Sequence, residues 1–126
     1  MSEKQRERIT KKDKQEFDNS VVEYNYKKVI ATFDPDTLKS TRLNKCQAWI
    51  YKDVSNSVVY LVSYETMVAW YDFNKNVFYD ATYYLFSKHN IDSWNTTTTT
   101  RQQVSKFYDY LTKHYVICPV IVTWKK

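Results

Sequence analysis

The sequence predicts an α+β protein: an antiparallel β-sheet of about four to six strands with one C-terminal amphipathic helix packed on one face. Two observations carry that expectation. From Val58 to Phe86 nearly every position is β-branched or aromatic, and polar breaks divide the run into strand lengths. Further on, Val104, Phe107, Tyr108, Leu111 and Tyr115 recur at the i, i+3, i+4, i+7 and i+11 spacing of a single helix face.

A chain of 126 residues, 43% of them hydrophobic and 17% aromatic, is long and apolar enough for one domain with its own core. Residues 1–18 are set apart as a charged arm, partly disordered or helical, because six basic and five acidic side chains accompany only Ile9 and Phe17 as large apolar residues after Met1. Residues 19–126 form the single α+β domain. Within it, Val22-Tyr24-Tyr26 alternates as a strand does, while Val22, Tyr26, Val29, Ile30 and Phe33 also satisfy helical spacing; the strand is preferred for Val21 to Phe33. Asp34-Pro35-Asp36 ends that element, since the residue before proline is pushed out of the helical region. A basic connector with Lys39, Arg42 and Lys45 follows.

Cys46 to Asp53 alternates as a strand, and Ser55-Asn56-Ser57 turns it into Val58. The aromatic run then breaks at Glu65-Thr66 and at Phe73-Asn74-Lys75-Asn76, giving a meander that continues through Val77 to Phe86. A threonine among Thr96 to Thr99 is expected to cap the helix that follows, with phosphate binding at that helix start as a sharper alternative. The closing Val116 to Trp124 segment reads as a strand that Pro119 confines to a sheet edge or splits at a bulge, and Lys125-Lys126 would protect such an edge.

Several chemistries are excluded by composition. The chain has no glycine, so Gly-rich phosphate loops, dinucleotide fingerprints and nucleophile elbows have no backbone to use, and turns fall to residues such as Asn56, Asn74, Asn76, Asn90 and Asn95. After Pro35-Asp36 no acidic residue is followed two positions on by lysine, which removes a Pro-Asp type nuclease site. Asp72 and Asp80 read as solvated turn residues, and His89, in a loop, and His114, near a helix end, are too scattered for a metal site or a triad. No catalytic residue, cofactor or metal is therefore expected. Cys46 and Cys118 lack paired spacing and are expected to be free, buried thiols in a reducing cytoplasm. The N-terminus lacks an apolar signal region and no apolar run approaches the ~20 residues of a membrane span, so a soluble protein is expected.

The formal net charge is +5, and the positive charge gathers toward the ends of the chain: residues 101–126 hold five basic groups and one acidic, against three and five in residues 46–100. Arg101, Lys106 and Lys113 flank the apolar stripe of the predicted helix and form a candidate basic patch with Lys125 and Lys126.

Ser63-Tyr64-Glu65-Thr66-Met67-Val68-Ala69, followed by an aromatic strand, Thr96 to Thr100 and Lys106-Phe107, resembles a family of small proteins encoded by phages of Gram-positive bacteria. The resemblance covers roughly residues 46–111, and the segment from Ser87 to Asn95 is longer here than in that pattern. No activity is assigned to the family. What the resemblance implies is a phage accessory protein acting in the host cytoplasm, where inhibition of host defence is a common role.

Two functional classes follow. In the first, the chain is a non-enzymatic phage protein that binds and inhibits a bacterial host protein, such as a defence nuclease, by occlusion, an anti-CRISPR being one form. Its partner-binding candidates are Tyr51, Tyr60, Tyr71, Tyr79, Tyr83 and Tyr84, rimmed by Arg101, Lys106 and Lys113. In the alternative, the same sheet aromatics stack on single-stranded nucleic acid while the basic termini follow its phosphates. Both classes require rings left uncovered by the helix.

Overall fold

The computed structural model describes residues 11–43, 47–89 and 93–124. Its first element is a helix, α1 (Lys11–Thr32). The strand preferred over Val21 to Phe33 is thus a helix, and it runs unbroken across the boundary expected at residue 18. Both periodicities were present; the side that wins is the one on which Val22 and Tyr26 are buried and Val29 and Phe33 half-buried. The helix stops where the proline rule places the stop: Asp34 is extended, and its carboxylate accepts a hydrogen bond from the Asp36 amide (3.2 Å) to close a short 3-10 turn, Pro35–Thr37.

Among the described residues six strands follow, β1 (Lys39–Arg42), β2 (Ala48–Asp53), β3 (Val58–Ser63), β4 (Thr66–Asp72), β5 (Val77–Asp80) and β6 (Val120–Thr123), in one sheet whose spatial order is the sequence order. The first five pair antiparallel, as the meander predicts, but β6 pairs parallel to β5. A parallel neighbour needs a long crossover. It is supplied by α2 (Thr82–His89) and α3 (Ser93–His114). The predicted strand from Val77 to Phe86 therefore ends at Asp80, whose carboxylate accepts hydrogen bonds from the Thr82 amide (2.9 Å) and hydroxyl and turns the chain into α2. Because α3 spans Ser93–His114, Thr96 to Thr99 lie inside it and not at its expected start. His89 is the last residue of α2, not a loop residue, and His114 the last of α3. Pro119 precedes β6, which lies at the sheet edge as expected.

Without glycine, the turns place L-residues in the left-handed region. Ser57 (φ 55°), Tyr64 (φ 59°) and Asn76 (φ 54°) hold these positions. Asn and Ser are unsurprising there; Tyr64 is not. Carboxylates fasten the turns: Asp53 accepts from the Asn56 amide (3.1 Å) and side chain (2.8 Å), and Asp72 from the Asn74 (2.9 Å) and Lys75 (3.2 Å) amides. Asp72 and Asp80 are thereby committed to separate backbone tasks.

Side-chain alternation gives the sheet two aromatic faces. Tyr51, Tyr60, Trp70 and Tyr79 are register partners on successive strands. Helix α1 meets this row, with Phe33 against Tyr51 (5.4 Å between ring centroids) and Tyr60 (4.7 Å), and Tyr26 against Trp70 (5.8 Å) and donating to the Met67 carbonyl (2.8 Å). Val59, Tyr71 and Phe78 form the alternate row, and α3 meets it through Phe107 (5.7 Å) and Tyr108 (5.3 Å) against Phe78. At the other end of the contact, Ser63 donates to Gln103 of α3, both side chains being buried. Helices thus lie against both faces, where one covered face and one open face were expected.

Candidate functional site

The double cover decides what the predicted binding residues can do. Tyr60, Tyr71, Tyr79 and Tyr84 are buried, each 4% exposed or less. They are core residues and not an open ring surface: Tyr60 and Tyr79 lie in the row that α1 meets, Tyr71 in the row that α3 meets, and Tyr84 against Tyr26 of α1. Tyr51 is half-buried against Phe33. Tyr83 is half-buried beneath Arg101, whose guanidinium lies 5.4 Å from the ring centroid. Burial also fixes protonation. Desolvation first, then the Asp53 carboxylate to which the hydroxyl donates (3.3 Å), pushes the Tyr60 pKa up to about 12. Tyr26 is raised further, by burial and by Tyr84.

Lys106 and Lys113 have a different fate: the structure brings them together. On α3, Lys106, Asp109, Tyr110, Lys113 and His114 follow at i, i+3, i+4, i+7 and i+8, a stripe beside the buried one. Because α3 is centred over the middle strands, a cleft of about 370 Å³ opens between this stripe and the first hairpin. Its opposite wall is Thr41, Arg42 and Leu43, with buried Ile50 as floor. The Leu43 amide donates to the Ala48 carbonyl (2.8 Å), which keeps that wall against β2.

Lys106, Asp109 and Lys113 of α3 are in the cleft lining, whereas the Arg42 guanidinium lies 5.8 Å from the Trp49 ring centroid. Tyr110 is in ring contact with His114 (4.2 Å between centroids), and the Lys52 ammonium lies 5.9 Å from the Tyr110 ring centroid. A hydrogen bond to Tyr110 raises the Lys52 pKa above its ordinary value. Arg101 lies on the same helix, over Tyr83, and is not among the cleft residues. The helical half of this site was legible in the spacing of Lys106 and Lys113. Thr41, Arg42 and Ile50 come from more than fifty residues earlier and reach the cleft only through sheet pairing.

A second surface lies on the outward side of α1. Phe17 (68% exposed) and Tyr24 (62%) are seven residues apart and share that side, with Lys28 over the Tyr24 ring at 5.1 Å and Ile30 exposed nearby. Val116, Val120 and Ile121 are exposed around the β6 edge, and Cys118, expected to be buried, is an exposed free thiol. Residues 1–10, Cys46 and the Lys125-Lys126 pair lie outside the described residues. Among the described residues no group of three or more His, Cys, Asp or Glu side chains is placed to hold a metal ion, and no helix is long and apolar enough to cross a membrane. No protein-family model, curated protein or solved structure matches the chain.

Proposed function

We propose that this chain is a non-enzymatic binding protein that inhibits a bacterial host protein by occlusion, as a phage accessory protein directed at a defence system, an anti-CRISPR for example, acting in the host cytoplasm. The observation that carries the reading is the outward side of α1. A helix whose inner side already anchors the sheet still holds two large rings in water at Phe17 and Tyr24. Burying such a ring in a partner recovers about 1.5–3 kcal/mol each, the scale of an interface hot spot. Lys28 beside Tyr24 and the Glu23–Lys27 ion pair (3.2 Å) supply a polar rim.

The stacking form of the nucleic-acid alternative loses its support, since the sheet rings it needs are covered on both faces. Helix α3 serves here as scaffold, its apolar stripe spent on Phe78 and its cationic stripe turned to the cleft.

The test is a plaque assay in a Gram-positive host that carries a defence system, with the chain expressed from a plasmid. Wild type should restore phage plating. The Phe17→Ser/Tyr24→Ser variant should fail to restore it while keeping the wild-type melting temperature, because neither ring is part of the core. A chain that restores no plating in any such host, or that turns over a small substrate, would overturn the reading.

A further inference from the structure

The sheet ends in two unlike edges. On β1 all four residues are exposed and two of them, Lys39 and Arg42, carry charge, which discourages an open strand from pairing with another chain. No charge guards β6 in the same way. Among the described residues no strand lies beyond it, no charged residue occurs from Tyr115 to Trp124, and Val120 (61%) and Ile121 (55%) are exposed. We infer that at this edge the chain pairs with a second copy of itself, β6 antiparallel to β6 across a two-fold axis.

The backbone selects that partner. The Val120 amide donates to the Asn76 carbonyl (3.0 Å), so Val120 and Val122 turn their N–H and C=O groups to β5, and by alternation those of Ile121 and Thr123 point away from the sheet. A two-fold axis at Val122 sets Ile121 opposite Thr123 of the second copy, and each of these outward groups then finds a partner. An axis at Ile121 would set Thr123 opposite Pro119, which has no N–H to give, and an axis at Thr123 would set Ile121 opposite residue 125, beyond the strand. The edge is complementary to itself in one register.

Side chains and charge favour the same pairing. In that register Val120 meets the second copy's Trp124, an aliphatic–aromatic pair of the kind that stabilises neighbouring strands. With a net charge of +5, two copies repel over most of their surfaces and come closest where neither is charged. An antiparallel pair also sets the Lys125-Lys126 sequences of the two copies at opposite ends of the ladder, where a parallel pair would set them side by side. A four-residue strand makes a small interface, so the dimer is weak, with a dissociation constant of about 1–100 µM. Both copies carry α1 on one face of a continuous sheet, which doubles the Phe17 and Tyr24 surface; the pairing itself does not depend on what that surface binds.

The experiment is sedimentation equilibrium of the full chain from about 1 µM to about 1 mM. The mass should rise from 15.2 kDa toward that of two copies. Ile121→Lys, at an exposed position whose backbone makes no bond to β5, should raise the dissociation constant more than about tenfold and leave the melting temperature of the dilute chain unchanged. In a Cys46→Ser/Cys118→Ser background, Val122→Cys should oxidise to a covalent dimer, because residues facing each other at the axis stand about 4.5 Å apart between Cα atoms, and Thr123→Cys should not. A single-chain mass at about 1 mM, a dimer indifferent to Ile121→Lys, a Val122→Cys chain that cross-links no faster than Thr123→Cys, or a mass that grows past two copies would each overturn the inference. A dimer lost instead in Phe17→Ser/Tyr24→Ser would overturn it in favour of a contact through α1.

Discussion

At the scale of single residues, the tyrosines divide by where their hydroxyls end up. Tyr60 is fully buried, yet its hydroxyl reaches the Asp53 carboxylate, so the ring is apolar cargo and the oxygen part of a turn. The Tyr60 pKa, about 12 in the fold against an ordinary value near 10, means the folded state keeps a proton that the unfolded chain gives up first. That contribution to stability is complete below pH 10 and is lost as pH climbs toward 12. The denaturation midpoint should therefore fall across this window, ahead of any phenolate absorbance from the buried rings, and Tyr60→Phe should make the fall shallower. A midpoint that stays level while all twelve tyrosines ionise together would show that the rings are open to water. Tyr60 was singled out from sequence as a binding residue; residue type alone does not distinguish a ring that is buried from one that binds.

At the scale of elements, the turns carry most of the local specification, and they do it without glycine. Asn76 is the favourable case: left-handed backbone, a side-chain oxygen accepting from the Tyr71 hydroxyl (2.5 Å), and a side-chain amide donating to the Cys118 carbonyl (3.0 Å), which ties the β4–β5 turn to the entry of β6. Tyr64 is the unfavourable one. Left-handed backbone costs an L-residue about 1–2 kcal/mol, and its ring, 54% exposed, returns little by burial. Tyr64→Gly should accordingly raise stability, by up to about 1 kcal/mol once the extra freedom of the unfolded chain is deducted, read as a higher melting temperature. A lower melting temperature would mean that the Tyr64 ring contributes more than its exposure indicates. The β3 and β4 hairpin was legible because β-branched and aromatic runs bounded by polar pairs have few other uses. The run from Ala81 to Phe86 reads the same way and is α2, because Asp80 caps the turn and the sheet has no place for more of that strand.

At the scale of the whole molecule, two helices hold one sheet between them, and neither aromatic row is stable alone in water. Tyr26→Ala on the α1 side and Phe107→Ala on the α3 side should each cost about 3–5 kcal/mol, and each variant should still unfold in one transition. A separate first transition confined to the Tyr26 variant would mean that α1 unfolds independently of the sheet. Covering both faces withdraws Tyr60, Tyr71 and Tyr79 from solvent, while Phe17 and Tyr24 stay exposed on the outward side of α1.

From its own letters the chain settles the α+β class, the hairpins around β3 and β4, the amphipathic stripe of α3, the stop at Asp34-Pro35 and the edge position of the proline-led last strand, because each rests on local sterics or a period of a few residues. Tertiary structure alone decides that Val21 to Thr32 is helical, that β6 runs parallel, and that Thr41 and Ile50 line a cleft with Lys106. A residue pattern compatible with both helix and strand takes the form that buries the most ring surface, and which surface needs burying is known only once the sheet exists.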